Sequence, residues 1–590
     1  MKRRILKEKE QIKNIIMTTT QKLQKKLNDS KAMRWTALII VSFTMMMAYF
    51  FTDVMGPLEA PLTTKGKLVY FDNGTYLSAD SLSKVCIEKV GKIDEVTTGK
   101  TYNFVYKEND KLKKQVAAVN EVKEENGEKS FVLANGTTLK AKTIKVFGQK
   151  AEIAIADIEK GKSYQVLQIE KKNKEENIVN ENLTVKSMIK GLGWTSSNYG
   201  FFSGAYGLIN VFLLMLFFGG IILDKMGVRF TGVMSTGLMF LGAAIKWYAV
   251  NNTFTGEIFG LPTQVAWASL GFAVYGVGCE IAGITVTKVI AKWFTGHEMA
   301  LAMGLQVALA RVGTACAMFF ALPLAQKFGI VSSPVLFGAG ALCIGFLSYI
   351  VYCVMDKKFD KSAGTEKISA DPDEQFKFSD LKVIFCNKGF WLITFLCLIF
   401  YSAVFPFLKF ATNLMIIKYN VSPDLAGIIP GLLPFGTILL TPLFGSLYDR
   451  IGKGATLMLI GSILLTIVHV LFALPILNVW WFAVIVMIML GFAFSLVPSA
   501  MWPSVPKIIP MKQLGSAYAI IFYIQNIGLS MVPMLIGSVI ESNTSADGSV
   551  DYLSPMSIFA AFGAIAVLIS LLLKKTDKKY NYGLEKSNQK

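Results

Sequence analysis

Twelve apolar runs of spanning length punctuate the chain, at about 35–56, 199–223, 230–250, 264–291, 298–324, 332–355, 389–416, 425–447, 455–474, 478–504, 513–541 and 553–573. A helix needs roughly 20 apolar residues to cross the hydrocarbon core. Inside lipid each segment has to satisfy its own backbone polar groups, so runs of this length leave the helix as the available fold. The basic residues are distributed unevenly. Residues 1–34 hold eleven Lys and Arg against three acids, and seven lysines lie in 355–388, whereas the loops 251–263 and 542–552 contain neither Lys nor Arg. This asymmetry places both termini in the cytoplasm and sets the basic arms against anionic headgroups. The net charge of +19 therefore belongs to a membrane surface and argues against a nucleic-acid partner.

Seven cysteines occur without a CxxC, and the two histidines, His297 and His469, are far apart. Neither a metal site nor a cofactor motif emerges, and no nucleophile–base arrangement points to an enzyme. The lysine bias and the unpaired Cys86 suggest a multi-pass protein of a bacterial cytoplasmic membrane.

The chain divides into a basic arm (1–34), a first helix (35–56), a polar stretch (57–186), five helices (187–355), a charged linker (356–388), six helices (389–573) and a basic tail (574–590). The polar stretch carries 22 lysines and 19 acids and alternates in the manner of strands at Tyr102, Phe104 and Tyr106, at Phe131 and Leu133, and at Ile144 and Val146. Asn-Gly pairs at 126–127 and 135–136 and Gly161-Lys162 supply turns. The expectation is a small, independently folding, non-catalytic all-β domain outside the membrane, inserted between helices 1 and 2.

One pattern appears twice, as Gly220-Ile-Ile-Leu-Asp224-Lys225-Met-Gly227 after helix 2 and as Gly445-Ser-Leu-Tyr-Asp449-Arg450-Ile-Gly452 after helix 8. Glycine permits the tight turn, and the cations hold the loop at the headgroups. In this repeat the chain resembles the major facilitator superfamily. The resemblance implies two six-helix bundles that rock about a central site, with Asp224, Arg229, Asp449 and Arg450 governing the gate.

Only six arginines occur among the 60 basic residues, and Arg311 alone lies inside an apolar run. A charge at the bilayer centre is costly, so it marks a site or a buried pair. Glu280 stands about fifteen residues before the turn at Thr295-Gly296 and Arg311 about fifteen after it, which puts both roughly 22 Å from that end at 1.5 Å per residue. Two readings stay open: an amphoteric site for a substrate ammonium and carboxylate, or a structural ion pair. Other polar residues within apolar runs are Asp53, Asn210, Lys409, Trp502, Tyr518, Gln525 and Asn526. Lys409 has the option of snorkelling to the interface, and Lys292 reads as interfacial. Gln525 and Asn526 diverge by about 100° on their helix, so one is expected in the cavity and the other against a neighbour.

The stretch GVGCEIAGITVTKVIAKWFTGHEMALAMGLQVALARVG is similar to the helix 4–5 region of the lysosomal dipeptide uniporter family of the superfamily. YSAVFPFLKF, SAMWPSVPKIIP and QLGSAYAIIFYIQNIGLS resemble that family's helices 7, 10 and 11. The resemblance implies that Glu280 binds a peptide's amino terminus, that Arg311 binds its carboxyl terminus, and that Trp502 borders the cavity. Asp53, Asn210, Lys409, Tyr518, Gln525 and Asn526 complete the candidate substrate-binding set. The chain departs from the family after Asp53, where Val-Met replaces Asn-Pro, at Lys409, where the family is neutral, and in possessing the polar insert. The expected function is transport of short zwitterionic peptides by alternating access, as a uniporter or a secondary-active carrier. An extracytoplasmic protein is the expected partner of the insert. The alternatives are a small carboxylate or organic-anion porter using Arg311, and a non-transporting receptor with an external β sensor.

Overall fold

The computed structural model describes residues 27, 30–78, 86–87, 94, 96–108, 111–125, 127–149, 158–172, 175–213, 215–294, 297–363, 378–510, 513–545 and 550–587. The chain enters through α1 (Lys31–Asp53), a 3-10 turn at Gly56–Leu58 and the short α2 (Glu59–Thr63). Ten strands follow: β1 (Lys67–Phe71), β2 (Tyr76–Ser78), β3 (Cys86–Ile87), β4 (Thr101–Glu108), β5 (Lys111–Glu125), β6 (Glu128–Leu133), β7 (Thr138–Lys140), β8 (Ile144–Gln149), β9 (Ser163–Lys172) and β10 (Glu175–Lys190). The chain then becomes helical in α3 (Ser196–Phe212) and α4 (Met215–Asn251). After a small hairpin come α5 (Thr263–Phe294), α6 (Met299–Phe328), α7 (Ser332–Ala363) and the short α8 (Phe378–Phe385). The last part holds α9 (Lys388–Tyr419), α10 (Pro423–Ala426), α11 (Ile428–Ile451), α12 (Gly454–Ala473), α13 (Trp480–Ile508), α14 (Leu514–Ser542) and α15 (Leu553–Tyr580).

Among the described residues, eleven helices are long and apolar enough to cross a membrane. The run expected as one helix at 199–223 is divided, because α3 stops at Phe212 after 17 residues and a new helix starts at Met215. Several other helix ends follow local chemistry. Thr195 accepts from the Asn198 N–H at the start of α3, and Asn387 accepts from Phe390 N–H at the start of α9. Asn420 ends α9 in the left-handed conformation at φ 52°.

The repeated loops turn as their glycines allow. Gly227 bends α4 in two at φ 75°, ψ 173°, and Gly452 ends α11 at φ 67°, ψ −127°. Both are regions that an L side chain occupies only under strain.

The strands form two antiparallel five-stranded sheets, ordered β2-β1-β10-β9-β3 and β7-β6-β5-β4-β8. The second sheet has a separate core around Phe104, Phe131, Leu133 and Leu139. The expected tyrosine and phenylalanine positions of β4 are buried, but so are Asn103 and Val105 between them. The first sheet is not independent of the helices. Leu68 and Tyr70 of β1 and Ile189 of β10 belong to the same core as the helices, while Val69 and Phe71 join a small core with Leu183 and Val185. Period-2 alternation thus roots one face of β1 in the bundle. Lys186 of β10 forms an ion pair with Asp424 of α10, and the turn at Gly74 lies against Ser422.

The two sets of helices meet tightly at the end that carries the sheets. A Cβ on Gly204 of α3 would stand 2.1 Å from the Ser530 carbonyl oxygen, and one on Gly537 of α14 would stand 2.4 Å from that of Ser196. Small residues permit this approach of backbones. At the end that carries the basic loops, Gly304, Gly445 and Gly515 have nothing within 4 Å of the same position. The seam is closed near the sheets and open toward the basic loops.

At the open end Arg229 pairs with Asp356 at 3.3 Å and Asp360 at 2.6 Å. Lys292, expected at the lipid interface, is instead drawn into this cluster, at 2.8 Å from Asp356 and 2.7 Å from Asp360. Trp293 Nε1 and the Tyr352 hydroxyl also donate to Asp356, at 3.2 and 3.0 Å. In the basic tail α15 runs on to Tyr580, and residues 581–587 fold under the second repeat loop. The N–H of Gly454 donates to the Leu584 carbonyl at 2.8 Å, and the backbone and hydroxyl of Thr456 donate to the two Glu585 carboxylate oxygens at 2.8 Å each.

Candidate functional site

A cavity of about 270 Å³ lies in the seam, lined from both sets of helices. Glu280 of α5 and Arg311 of α6 both line it. Glu280 Oε1 accepts from the Tyr206 hydroxyl of α3 at 2.8 Å. The Arg311 guanidinium lies 5.7 Å from the ring centre of Phe405 and 5.4 Å from that of Phe494. Among the described residues no ion pair joins Glu280 to Arg311, and Arg311 has no carboxylate partner. In this conformation, therefore, the two charges are not joined as a structural ion pair. Aromatic faces hold a guanidinium by its plane and leave its N–H edge for a planar anion.

Asp53 and Lys409 also line the cavity, and they pair with each other across the seam at 2.6 Å. Asp53 accepts a second hydrogen bond from Thr314 at 2.8 Å, and Lys409 donates to the Thr52 carbonyl at 2.9 Å. Lys409 therefore does not snorkel, because a carboxylate in the opposite half neutralises it in place. The Asp53–Lys409 pair is self-contained, which leaves Glu280 and Arg311 as the charges without a protein counter-ion in the cavity.

Trp502 borders the cavity as expected, with Nε1 donating to the Tyr401 hydroxyl at 3.0 Å and its ring stacked on Phe522 at 4.9 Å. Gln525 and Asn526 both line the cavity, contrary to the expectation that one would turn away. The cavity wraps round α14, and two side chains about 100° apart still reach it. Asn526 Nδ2 bonds the Phe522 carbonyl at 3.0 Å, whereas Gln525 Oε1 has no partner. Tyr518 stands behind Trp502, donating to its carbonyl at 3.2 Å, and is not a lining residue. Asn210 is fully buried away from the cavity.

Of the four gate candidates, Arg229 is in the charged cluster described above. The carbonyls of Asp449 and Arg450 accept from the Ser587 hydroxyl at 2.8 and 3.0 Å. Asp224 lies in α4, and its side chain falls outside the described residues.

Sequence reasoning missed Tyr206, Tyr401 and Phe405, which carry no signal beyond an aromatic on an apolar helix. It also missed Lys246 of α4, whose signal is the same as that of Arg311: a lone cation inside an apolar run. Lys246 is fully buried, 4.2 Å from the ring centre of Phe272 and 4.4 Å from that of Phe51, and donates to the Phe51 carbonyl at 3.4 Å.

A sequence profile of the Major Facilitator Superfamily matches residues 179–533 and 410–589. The lysosomal dipeptide transporter MFSD1 of Mus musculus is 28% identical over 345 residues, covering 56% of this chain and 69% of that protein. Its counterpart in Danio rerio is 26% identical over 388 residues, covering 64% and 78%. In fold, the nucleoside transporter NupG superposes with a TM-score of 0.51 at 16% identity, over 65% of this chain and 91% of its own. A bacterial homologue of the human lysosomal transporter Spinster gives 0.50 at 13% identity, over 65% and 91%. The curated relatives carry a lysosomal name and come from animals, so they lend no support to a bacterial cytoplasmic membrane.

Proposed function

Because the chain belongs to the Major Facilitator Superfamily, we propose that it is a carrier of short zwitterionic peptides working by alternating access. It is an integral, multi-pass, non-enzymatic transporter related at low identity to lysosomal dipeptide transporters. The observation that carries the peptide reading is a cavity holding one carboxylate and one guanidinium that do not neutralise each other. Glu280, steadied by Tyr206, meets the ligand's ammonium, and Arg311, pressed on Phe405 and Phe494, meets its carboxylate. A cavity of about 270 Å³ suits a solute smaller than a typical drug. Trp502, Gln525 and Asn526 shape its walls, and Asp53–Lys409 closes it on the sheet-bearing side.

On this reading α3 counts as the twelfth spanning helix, the two sheets form an insert outside the membrane, and the end with the basic loops faces the cytoplasm. Asp224, Arg229, Asp449 and Arg450 then act on the conformational equilibrium and not on the ligand.

The test is binding to the purified carrier of free, N-acetylated and C-amidated dipeptides, read by thermal shift. Each charge-assisted contact is worth about 1.5–3 kcal/mol, or roughly ten- to a hundredfold in affinity. Glu280→Gln lessens the penalty for acetylation, and Arg311→Gln lessens the penalty for amidation. Wild-type protein that binds the doubly blocked peptide as tightly as the free one ends the proposal. A preference for simple organic acids over dipeptides, abolished by Arg311→Gln and untouched by Glu280→Gln, replaces it with the anion-porter reading.

A further inference from the structure

Another cavity, of about 400 Å³, lies at the sheet-bearing end, apart from the one in the seam. Three parts of the chain build its wall: Lys160, Lys186 and Ser187 beside or on β10, Gln326 and Lys327 in the last turn of α6, and Asp424 of α10. Backbone hydrogen bonds fix these parts side by side. The Gly161 N–H donates to the Val185 carbonyl at 2.8 Å, and the Val185 N–H to the Lys162 carbonyl at 2.9 Å, which holds the turn carrying Lys160 against β10. The Lys190 N–H donates to the Gly329 carbonyl at 3.4 Å, which brings Lys186 and Ser187 alongside the end of α6.

This wall is rich in donors without acceptors. Lys186 pairs with Asp424, but among the described residues no carboxylate pairs with Lys160 or Lys327. Three cations against one carboxylate leave two positive charges on the wall. Ser187 is 4% exposed and Gln326 7%, yet Ser187 Oγ and Gln326 Nε2 have no hydrogen-bond partner. A buried donor left unsatisfied is costly, so two in one wall point to an acceptor from outside the chain. Lysine offers only donors, and a serine hydroxyl and an amide nitrogen can donate as well. Their complement is a small group with about two negative charges and several acceptor oxygens. A phosphate monoester brings about −1.5 to −2 charges and three such oxygens, whereas a carboxylate brings one charge and two oxygens. We propose that this cavity binds a phosphate monoester group, as free phosphate or as a phosphatidic acid headgroup. The lipid source is open to it because Lys327 lies in the last turn of a helix of spanning length, with Phe328 and Ile330 exposed just beyond. The site does not depend on which solute the carrier moves, because none of its residues lines the seam cavity.

The experiment uses the full chain purified in a nonionic detergent, at constant ionic strength set with chloride. Inorganic phosphate and, separately, short-chain phosphatidic acid are titrated by calorimetry, with short-chain phosphatidylglycerol as the monoanionic control. The wild type is expected to bind at least one monoester saturably and more tightly than phosphatidylglycerol, and the tighter of the two identifies the source. Lys160→Gln combined with Lys327→Gln is expected to weaken that binding roughly tenfold or more. Ser187→Ala, which changes no charge, is expected to weaken it roughly three- to tenfold. Gln326→Met is a second uncharged variant, for the case in which Ser187→Ala misfolds. Lys100→Gln combined with Lys140→Gln removes the same charge from exposed positions at the second sheet and is expected to bind as the wild type does. Absence of saturable binding by either monoester, or phosphatidylglycerol bound as tightly, overturns the proposal. So does binding that both double variants weaken alike, or binding indifferent to the loss of Lys160 and Lys327 or of the uncharged donors.

Discussion

The two copies of the G-x-x-x-D-[KR]-x-G loop make similar glycine turns and are anchored by unlike means. The first is held by charge: Arg229 and Lys292 converge on Asp356, whose side chain is 1% exposed, and on Asp360. The second is held by main-chain and side-chain hydrogen bonds to residues 584–587 of the returning tail. A repeated sequence thus specifies the turn, and the surrounding helices specify what holds it. The charged anchor joins α4, α5 and α7 within one half. The tail anchor joins α11, α12, α13 and the end of α15 within the other, with Lys507 donating to the Lys586 carbonyl at 2.9 Å. Each half is thereby braced internally at the open end, and the brace does not cross the seam.

The largest test of this contrast is Asp356→Asn. It leaves two cations sharing Asp360, and removing one partner of a buried pair costs about 3–5 kcal/mol, less here because Arg229 is partly exposed. The apparent melting temperature in detergent is expected to fall sharply, and an unchanged melt would show that the cluster is not the anchor. Next comes a cycle on the glycines. Gly227→Ala meets open space and carries only backbone strain of about 1–3 kcal/mol. Gly452→Ala carries similar strain and also places its Cβ 2.5 Å from the tail at Lys586 and Ser587. Removal of residues 581–590 is therefore expected to erase the excess penalty at Gly452 and to leave Gly227→Ala unaffected. Equal penalties before truncation would contradict the tail's role. The smallest effect is Glu585→Ala, which deletes two hydrogen bonds to Thr456 worth about 1 kcal/mol each. It is expected to loosen the second loop, read as faster hydrogen exchange there, with protection near Arg229 unaltered.

Features of short sequence range were legible. Gly227 and Gly452 announced their turns, apolar runs announced the helices, and the spacing of Glu280 and Arg311 about one turn placed them in one cavity. Features that depend on which helices become neighbours were not. Nothing near Lys409 reveals that Asp53, more than three hundred residues earlier, lies within 2.6 Å. Glu280 gives no sign of choosing Tyr206 over Arg311, and Arg311 none of resting on rings from α9 and α13. The hidden break in α3 at Leu213 has the same origin, since its residues are as apolar as those of an unbroken helix.

The ion pair between Lys186 and Asp424 ties the root of β10 to the second half, while Leu68, Tyr70 and Ile189 root the same sheet in the helical core. The sheet is thus a second bridge over the seam, outside the bundle altogether. Thermodynamic reciprocity then applies to anything that recognises the strand base only while Lys186 and Asp424 are joined. Such a molecule biases the seam toward closure by the same factor by which closure tightens its grip, without ever entering the cavity.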